Sequence, residues 1–128
     1  LSDLTGLNGI QTLESLTIRG GSLATPVLSG LPVLRSLTLS ECGVSTLLSM
    51  TDLPALESLN LSGNGIQSIE VLGFSRLQYL DLSNNKLSSP AALAIDMVSG
   101  SLDLSGNESS LYADLSAFSD SLKVITSK

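Results

Sequence analysis

The sequence of 128 residues contains no histidine, no tryptophan and a single cysteine, and each scarcity excludes a class of chemistry. Without histidine there is no Ser-His-Asp triad, no histidine-based acid–base catalysis and no supply of the commonest metal ligand. One cysteine forms neither an internal disulfide nor a four-thiolate zinc site. No apolar run approaches the roughly 18 residues of a membrane-spanning helix. We therefore expect no cofactor, no bound metal and no membrane insertion.

Charged and aromatic residues are also scarce. Charged residues make up 14% of the chain and aromatic residues 3%, and the net charge is −6. An acidic chain is poorly suited to nucleic-acid backbones and to anionic membrane surfaces, so no nucleic-acid partner is expected. Leucine and serine dominate instead, with 28 and 24 copies. A core made almost wholly of leucine requires an architecture in which equivalent positions recur.

Five segments repeat one leucine pattern at steps of 21 or 22 residues. They begin at residues 13, 34, 56, 77 and 99 and read LESLTIRGGSL, LRSLTLSECGV, LESLNLSGNGI, LQYLDLSNNKL and SGSLDLSGNES. This LxxLxLxxN/CxL pattern resembles the leucine-rich repeat family and covers nearly the whole chain. The resemblance implies an α/β fold, a right-handed solenoid with a parallel β-sheet on its concave face. Loops, 3₁₀ turns and short helices would form the convex face.

The residues inside each repeat support this interpretation independently. Paired apolar residues have strand spacing, as in Leu16 and Ile18 or Leu80 and Leu82, and the residues between them are small and polar. A unit of this length cannot bury its leucines alone, so neighbouring units must stack. Strands that stack while running the same way form a parallel sheet, with the polar residues on its solvated face.

The segments that return from one strand to the next indicate the subclass and the domain organisation. Apolar residues recur every three positions at Leu28, Leu31 and Leu34, which favours 3₁₀ turns. Units of 21 or 22 residues with such segments resemble the class found in a phosphatase regulator and in bacterial internalins. Residues 1–128 are interpreted as one domain of about five complete repeats, with a truncated repeat at the N-terminus and a degenerate C-terminal end. Short helical segments are predicted at 90–95 and, from the spacing of its apolar residues, at 112–122.

A ladder position follows each strand. In the family its asparagine side chain is buried and bonds backbone groups of the turn, and cysteine is an accepted alternative. The resemblance therefore implies that Cys42 is a buried structural thiol, while Gly21 departs from the pattern in the first repeat. The predicted ladder residues are Cys42, Asn64, Asn85 and Asn107.

Asp81 and Asp103 occupy equivalent positions on adjacent predicted strands, about 5 Å apart. Two such carboxylates resemble an acid–base pair, and with nearby Ser and Asn oxygens they form a loose set for Ca²⁺. The surroundings supply too few further acids or ligands for either role. We favour solvated surface groups, or contacts to a basic partner.

An extended polar sheet most often serves binding, and Tyr79 is the only aromatic residue on the predicted face. We predict a non-catalytic scaffold or targeting module that contacts a basic or polar segment of a protein partner. The alternative is that these positions only solubilise the sheet and that the interface lies elsewhere. The predicted partner-binding residues are Tyr79, Asp81, Asp103, Asn60, Ser83, Lys86 and Arg19.

Two other functional classes stay open from the sequence. The chain could be the recognition module of a microbial surface or secreted protein, or the recognition arm of a larger enzyme. No cysteine-rich flank is present, which favours a cytoplasmic protein over a secreted one. N-x-S patterns at Asn60 and Asn107 do not decide the compartment.

Overall fold

The structure, a computed structural model, describes residues 4–23, 27–45, 50–67, 76–88, 100–108 and 123–125. Its main feature is a six-stranded parallel sheet with strand order β1-β3-β5-β6-β7-β8. These strands are β1 (Ser15–Arg19), β3 (Ser36–Ser40), β5 (Ser58–Asn60), β6 (Tyr79–Asp81), β7 (Ser101–Asp103) and β8 (Lys123–Ile125). A second parallel pair joins β2 (Leu28–Ser29) to β4 (Met50–Thr51). One 3₁₀ turn spans Thr5–Leu7.

The register of the main sheet reproduces the sequence repeat. Leu16 pairs with Leu37, which in turn pairs with Leu59, and the same alignment continues along the sheet. Each side chain therefore lies beside its equivalent in the next repeat, about 4.8 Å away. The predicted parallel sheet is confirmed, and the fold is a solenoid of stacked repeats.

The core consists of the leucines on the inner side of this sheet and in the return segments. Leu37, Leu39 and Leu61 are fully buried, as is Leu34 in a return segment. Burying one such side chain stabilises the fold by roughly 1.5–3 kcal/mol. In β1 the equivalent Leu16 and Ile18 are only half-buried, because β1 has a neighbouring strand on one side only within the described residues.

Two features differ from the sequence-based expectation. The return segments include the short parallel pair β2–β4, which the three-residue spacing of leucines did not predict. The degenerate C-terminal region still contributes β8, which pairs with β7 in register. The helical segments predicted at 90–95 and 112–122 lie outside the described residues. No helix in the described ranges has the length and apolar character required to cross a membrane.

In five successive repeats, the residue just before the ladder position has a positive φ angle, in the left-handed region of the backbone map. Glycine alternates here with a larger residue, because the larger side chain extends over the next glycine. A Cβ atom at Gly63 would lie 2.9 Å from Cγ of Glu41, and one at Gly106 would overlap the side chain of Asn84. The five residues and their φ angles are Gly20 (81°), Glu41 (54°), Gly63 (70°), Asn84 (57°) and Gly106 (72°).

Candidate functional site on the outer face of the sheet

The strand residues between the leucines form one polar surface, which we call the outer face. Three residues per strand contribute at β1 and β3, and the equivalent residues of β5, β6 and β7 continue the same rows. From β1 to β7 the rows are Ser15, Ser36, Ser58, Tyr79 and Ser101; Thr17, Thr38, Asn60, Asp81 and Asp103; and Arg19 with Ser40. On β8 the register continues the first row at Lys123 and the second at Ile125.

Tyr79 is the most exposed large apolar side chain among the described residues, with 55% of its surface accessible. In its row it pairs with Ser58 on one side and Ser101 on the other. Serine is too small to cover a neighbouring ring, so the phenol stands above a polar surface. An exposed tyrosine offers a partner a rigid apolar surface together with a hydroxyl group.

Asp81 and Asp103 pair in register on β6 and β7, yet each is bound to its own turn. Oδ1 of Asp81 accepts hydrogen bonds from the backbone N–H of Ser83 at 2.9 Å and from its hydroxyl at 2.6 Å. Oδ1 of Asp103 accepts the same two bonds from Ser105, at 3.0 and 2.7 Å. Each pair forms an Asx turn, which holds the carboxylate at the end of its strand. The two carboxylates thus stabilise the turns that follow their strands. They also place two negative charges next to each other on adjacent strands.

Asn60 makes a similar turn one strand earlier, where its Oδ1 accepts a hydrogen bond from the N–H of Ser62 at 3.0 Å. Sequence reasoning assigned Asn60, Asp81 and Asp103 to binding and missed this local contact. The signal was present, because Asn-Leu-Ser or Asp-Leu-Ser recurs at the same phase in three successive repeats. Ser83 is only 7% exposed, so it supports Asp81 and presents almost no surface to a partner.

The remaining two predicted contact residues lie apart from this group. Arg19 is on β1, three strands away from β6, and its Nη1 donates to the hydroxyl of Ser40 at 3.3 Å. Lys86 lies beyond the end of β6, where its backbone N–H donates to the carbonyl of Ile66 at 2.9 Å. The structure therefore brings together Asn60, Tyr79, Asp81 and Asp103, which we call the Tyr79 patch.

The ladder residues join each repeat to its neighbour on the inner side of the turn. Oδ1 of Asn64 accepts hydrogen bonds from the N–H groups of Cys42 and Val44 at 2.9 and 3.0 Å. Its Nδ2 donates to the carbonyls of Leu39 and Leu61, both at 2.8 Å. One amide therefore satisfies backbone groups of two repeats that the turn leaves unpaired.

The next two asparagines repeat this arrangement. Oδ1 of Asn85 accepts from the N–H of Ile66 at 3.1 Å, and Oδ1 of Asn107 accepts from the N–H of Leu87 at 3.1 Å. The two Nδ2 groups each donate to carbonyls of their own and the preceding repeat. Nδ2 of Asn107, the atom that glycosylation of its N-x-S pattern would modify, is therefore engaged in ladder bonds.

Cys42 takes the ladder position in the second repeat and is fully buried. Its Sγ lies 3.2–3.4 Å from the carbonyl oxygens of Ile18, Gly20 and Ser40, within reach of a weak S–H donor. Burial raises the pKa of this thiol, although its hydrogen bond with the Gly20 backbone acts in the opposite direction. A buried thiol with a raised pKa is a poor nucleophile.

Among the described residues, the outer face therefore offers hydrogen-bonding groups, the carboxylates of Asp81 and Asp103, the guanidinium of Arg19 and the ring of Tyr79. The described ranges contain no group of three or more His, Cys, Asp or Glu residues arranged to hold a metal ion. The two aspartates do not bond to each other, as an acid–base pair sharing a proton would, and each bonds a serine.

Comparison with known proteins agrees with this geometry. Residues 54–94 match the family described as leucine-rich repeats in two copies. That segment contains β5 and β6 and the ladder residues Asn64 and Asn85, and the same strand register and ladder bonds extend beyond it on both sides. No curated protein matches the chain. The matched segment and the recurring ladder show that this chain contains leucine-rich repeats.

Proposed function

We propose that this chain is a non-catalytic protein-interaction module, a scaffold or targeting subunit, that binds its partner through the Tyr79 patch. Leucine-rich repeat domains generally mediate protein–protein interaction. The observation that carries the proposal is the exposure of Tyr79, a residue with 55% of its surface accessible. Tyrosine is among the residue types that dominate binding energy at protein interfaces.

The charge of the patch indicates the chemistry of the partner. Asp81 and Asp103 lie on adjacent strands, with Asn60 in register on one side and Ile125 on the other. Lys123 on β8, at the register position beside Ser101, is a basic residue in the neighbouring row. A basic or polar segment of a protein would complement this surface, and the attraction would also speed its encounter with the patch. The chain's net charge of −6 also favours a basic partner.

The Asx turns favour binding by a prearranged surface. Each carboxylate is fixed through Oδ1 by two bonds, so a partner does not have to order it. Binding costs less when contact groups are already ordered, because less side-chain entropy is lost. The patch therefore combines one aromatic contact with two fixed negative groups.

Affinity capture with matched variants tests the proposal. Proteins retained by the unmodified chain are compared with those retained by Tyr79→Ala and by Val33→Ala. Val33 is 37% exposed outside the outer face, so its truncation controls for a general loss of apolar surface. We expect the specific partner to be lost with Tyr79→Ala and kept with Val33→Ala. A partner held equally by all three proteins would place the interface outside the Tyr79 patch.

The variants Asp81→Asn and Asp103→Asn test the role of the negative charges while keeping the turn contacts. Asparagine keeps the Oδ1 acceptor, as Asn60 demonstrates in the preceding repeat, and removes the negative charge. We expect each change to weaken binding of a basic partner several-fold and to make the affinity less sensitive to salt. Unchanged affinity in the double variant would exclude a basic partner segment while leaving the role of Tyr79 intact.

A further inference from the structure

Gly65, which follows the ladder residue of the third repeat, occupies a position that does not require glycine. Its φ angle lies outside the left-handed region, and a Cβ atom there would have no heavy atom of the described residues within 4 Å beyond its chain neighbours. The equivalent residues of the next two repeats are Lys86 and Glu108, and the backbone N–H of each donates to the preceding repeat, as that of Gly65 does. Neither backbone geometry nor packing therefore accounts for glycine at this position.

An asparagine followed by glycine is chemically labile, because the backbone nitrogen of the glycine can reach the carbon of the side-chain amide. No Cβ atom obstructs that approach, and glycine samples more backbone conformations than other residues. Asparagine is accordingly one of the thermolabile residues that proteins of hyperthermophiles contain less often. The chain has this pair twice, at Asn8–Gly9 and Asn64–Gly65. Gly9 has a φ angle of 81°, so the backbone accounts for glycine there, and Asn64–Gly65 is the pair that needs another explanation.

In the folded chain Val44 holds both of the groups that would react. Its N–H donates to Oδ1 of Asn64 at 3.0 Å, and its carbonyl accepts from the N–H of Gly65 at 3.2 Å. Nδ2 of Asn64, which would leave as ammonia, donates to the carbonyls of Leu39 and Leu61, both at 2.8 Å. Attack requires the nitrogen of Gly65 to leave Val44 and approach Cγ of Asn64, and such intramolecular reactions are fast only when the reacting atoms are aligned. The closed ladder therefore blocks the reaction.

We propose that Asn64 is a self-modification site, which the closed ladder protects and which converts to aspartate or isoaspartate once the third repeat opens. The nitrogen of Gly65 gives up its proton and bonds to Cγ of Asn64. The bond from Cγ to Nδ2 breaks, and Nδ2 leaves with that proton as ammonia, so that a cyclic imide is formed. Water then adds to either carbonyl of the imide and opens the ring, and nothing is oxidised or reduced.

Neither product can rebuild the ladder. Aspartate has no N–H to donate to Leu39 and Leu61, and its carboxylate would face their carbonyl oxygens. Isoaspartate also lengthens the main chain by one carbon atom before the bond from Gly65 to Val44. Opening is therefore reversible only until the reaction occurs, and afterwards the chain refolds poorly. The site makes loss of structure at this repeat permanent, independently of any binding at the Tyr79 patch.

Peptide mapping of the 128-residue chain tests the proposal, because it distinguishes asparagine, aspartate and isoaspartate at position 64. Samples are incubated at mildly alkaline pH, either folded in buffer or unfolded in guanidinium chloride. We expect conversion in the unfolded chain and conversion at least about tenfold slower in the folded chain, since the ladder bonds must break first. Equal rates in the two states, or no conversion in either, would overturn the proposal.

Gly65→Lys is the matched variant, because the fourth repeat has Lys86 at the equivalent position. It retains Asn64 and its ladder bonds but obstructs the approach of the backbone nitrogen to Cγ. After long incubation in guanidinium chloride and dilution, we expect the unmodified chain to lose refolding in proportion to conversion at position 64, and Gly65→Lys to retain it. Asn8–Gly9 is present in both proteins, so conversion there affects them equally. The same loss of refolding in both proteins would contradict the proposal.

Asn64→Asp introduces one of the two products directly and keeps the proposal testable if Gly65→Lys fails to fold. Asn60→Asp is its control, because it makes the same chemical change at a position where the next repeat has Asp81. We expect Asn64→Asp to lower the thermal midpoint by a few degrees and Asn60→Asp to leave it nearly unchanged. Equal midpoints for the two variants would show that aspartate fits the ladder, and would rule out a permanent loss of structure through this site.

Discussion

Oδ1 of Asn64 accepts hydrogen bonds from the backbone N–H groups of both Cys42 and Val44, so one side chain holds the turn of the preceding repeat. The same amide donates to Leu39 and Leu61 through Nδ2. Stability of the solenoid therefore depends on a polar contact between repeats as well as on leucine packing. This contact gives the first prediction.

Asn64→Ala should lower the free energy of unfolding by about 1–3 kcal/mol, because it leaves backbone donors and acceptors without partners. Urea denaturation followed by circular dichroism measures the change. Gln78→Ala is the control, since Gln78 is exposed and its substitution should stay within about 0.5 kcal/mol. A loss as small as that of the control would show that water replaces the ladder bonds at no cost.

Asp81→Asn and Asp81→Ala should differ in stability. Asparagine retains the acceptor for the Ser83 N–H and hydroxyl, whereas alanine removes both bonds. We expect Asp81→Asn to unfold near the midpoint of the unmodified chain and Asp81→Ala to lose about 1 kcal/mol. The same comparison at Asp103 provides an independent repeat of the measurement. Equal stability of the two variants would mean that the Asx turn contributes nothing measurable.

Gly63→Ala and Gly106→Ala should differ as well, although their φ angles are nearly equal at 70° and 72°. Both variants carry the strain of a left-handed alanine, about 1 kcal/mol. At Gly63 the new Cβ meets the flexible Glu41 side chain, which can move aside. At Gly106 it meets the Asn84 side chain and also lies 3.2 Å from the Asn84 backbone nitrogen.

Gly106→Ala should therefore lower the thermal midpoint more than Gly63→Ala, as measured by differential scanning calorimetry. The double variant Asn84→Gly/Gly106→Ala should recover part of the loss by removing the side-chain overlap. Equal midpoints for the two single variants would show that the contact with Asn84 relaxes freely.

The leucine spacing sufficed to predict the main sheet because burial and strand geometry act on the same residues. Leu37 and Leu39 must lie inside, so Thr38 must lie outside, and the period then sets the register. The role of Asp81 could not be read in the same way. Polarity places a residue on the outer face, but it does not distinguish a side chain in solvent from one that bonds its own turn.

The return segments illustrate a different limit. The three-residue spacing of Leu28, Leu31 and Leu34 indicates which side chains are buried, and all three are. It does not determine whether the intervening backbone forms a turn or a short strand, because both can present the same side chains to the core. The pairing of β2 with β4 depends on how two successive repeats stack, which is a tertiary contact.

The buried thiol of Cys42 should make the free energy of unfolding depend on pH. Burial raises the pKa of its thiol in the folded chain, so the thiolate is favoured in the unfolded chain. Below the thiol's pKa in the unfolded chain, about 8.5, the protonated thiol contributes fully to the free energy of unfolding. That contribution is lost as the pH rises through the higher pKa of the folded chain. We expect the free energy of unfolding to fall more steeply above about pH 8.5 in the unmodified chain than in Cys42→Ala. Denaturation of both proteins at several pH values measures the difference, and parallel curves would show that the thiol titrates alike in both states.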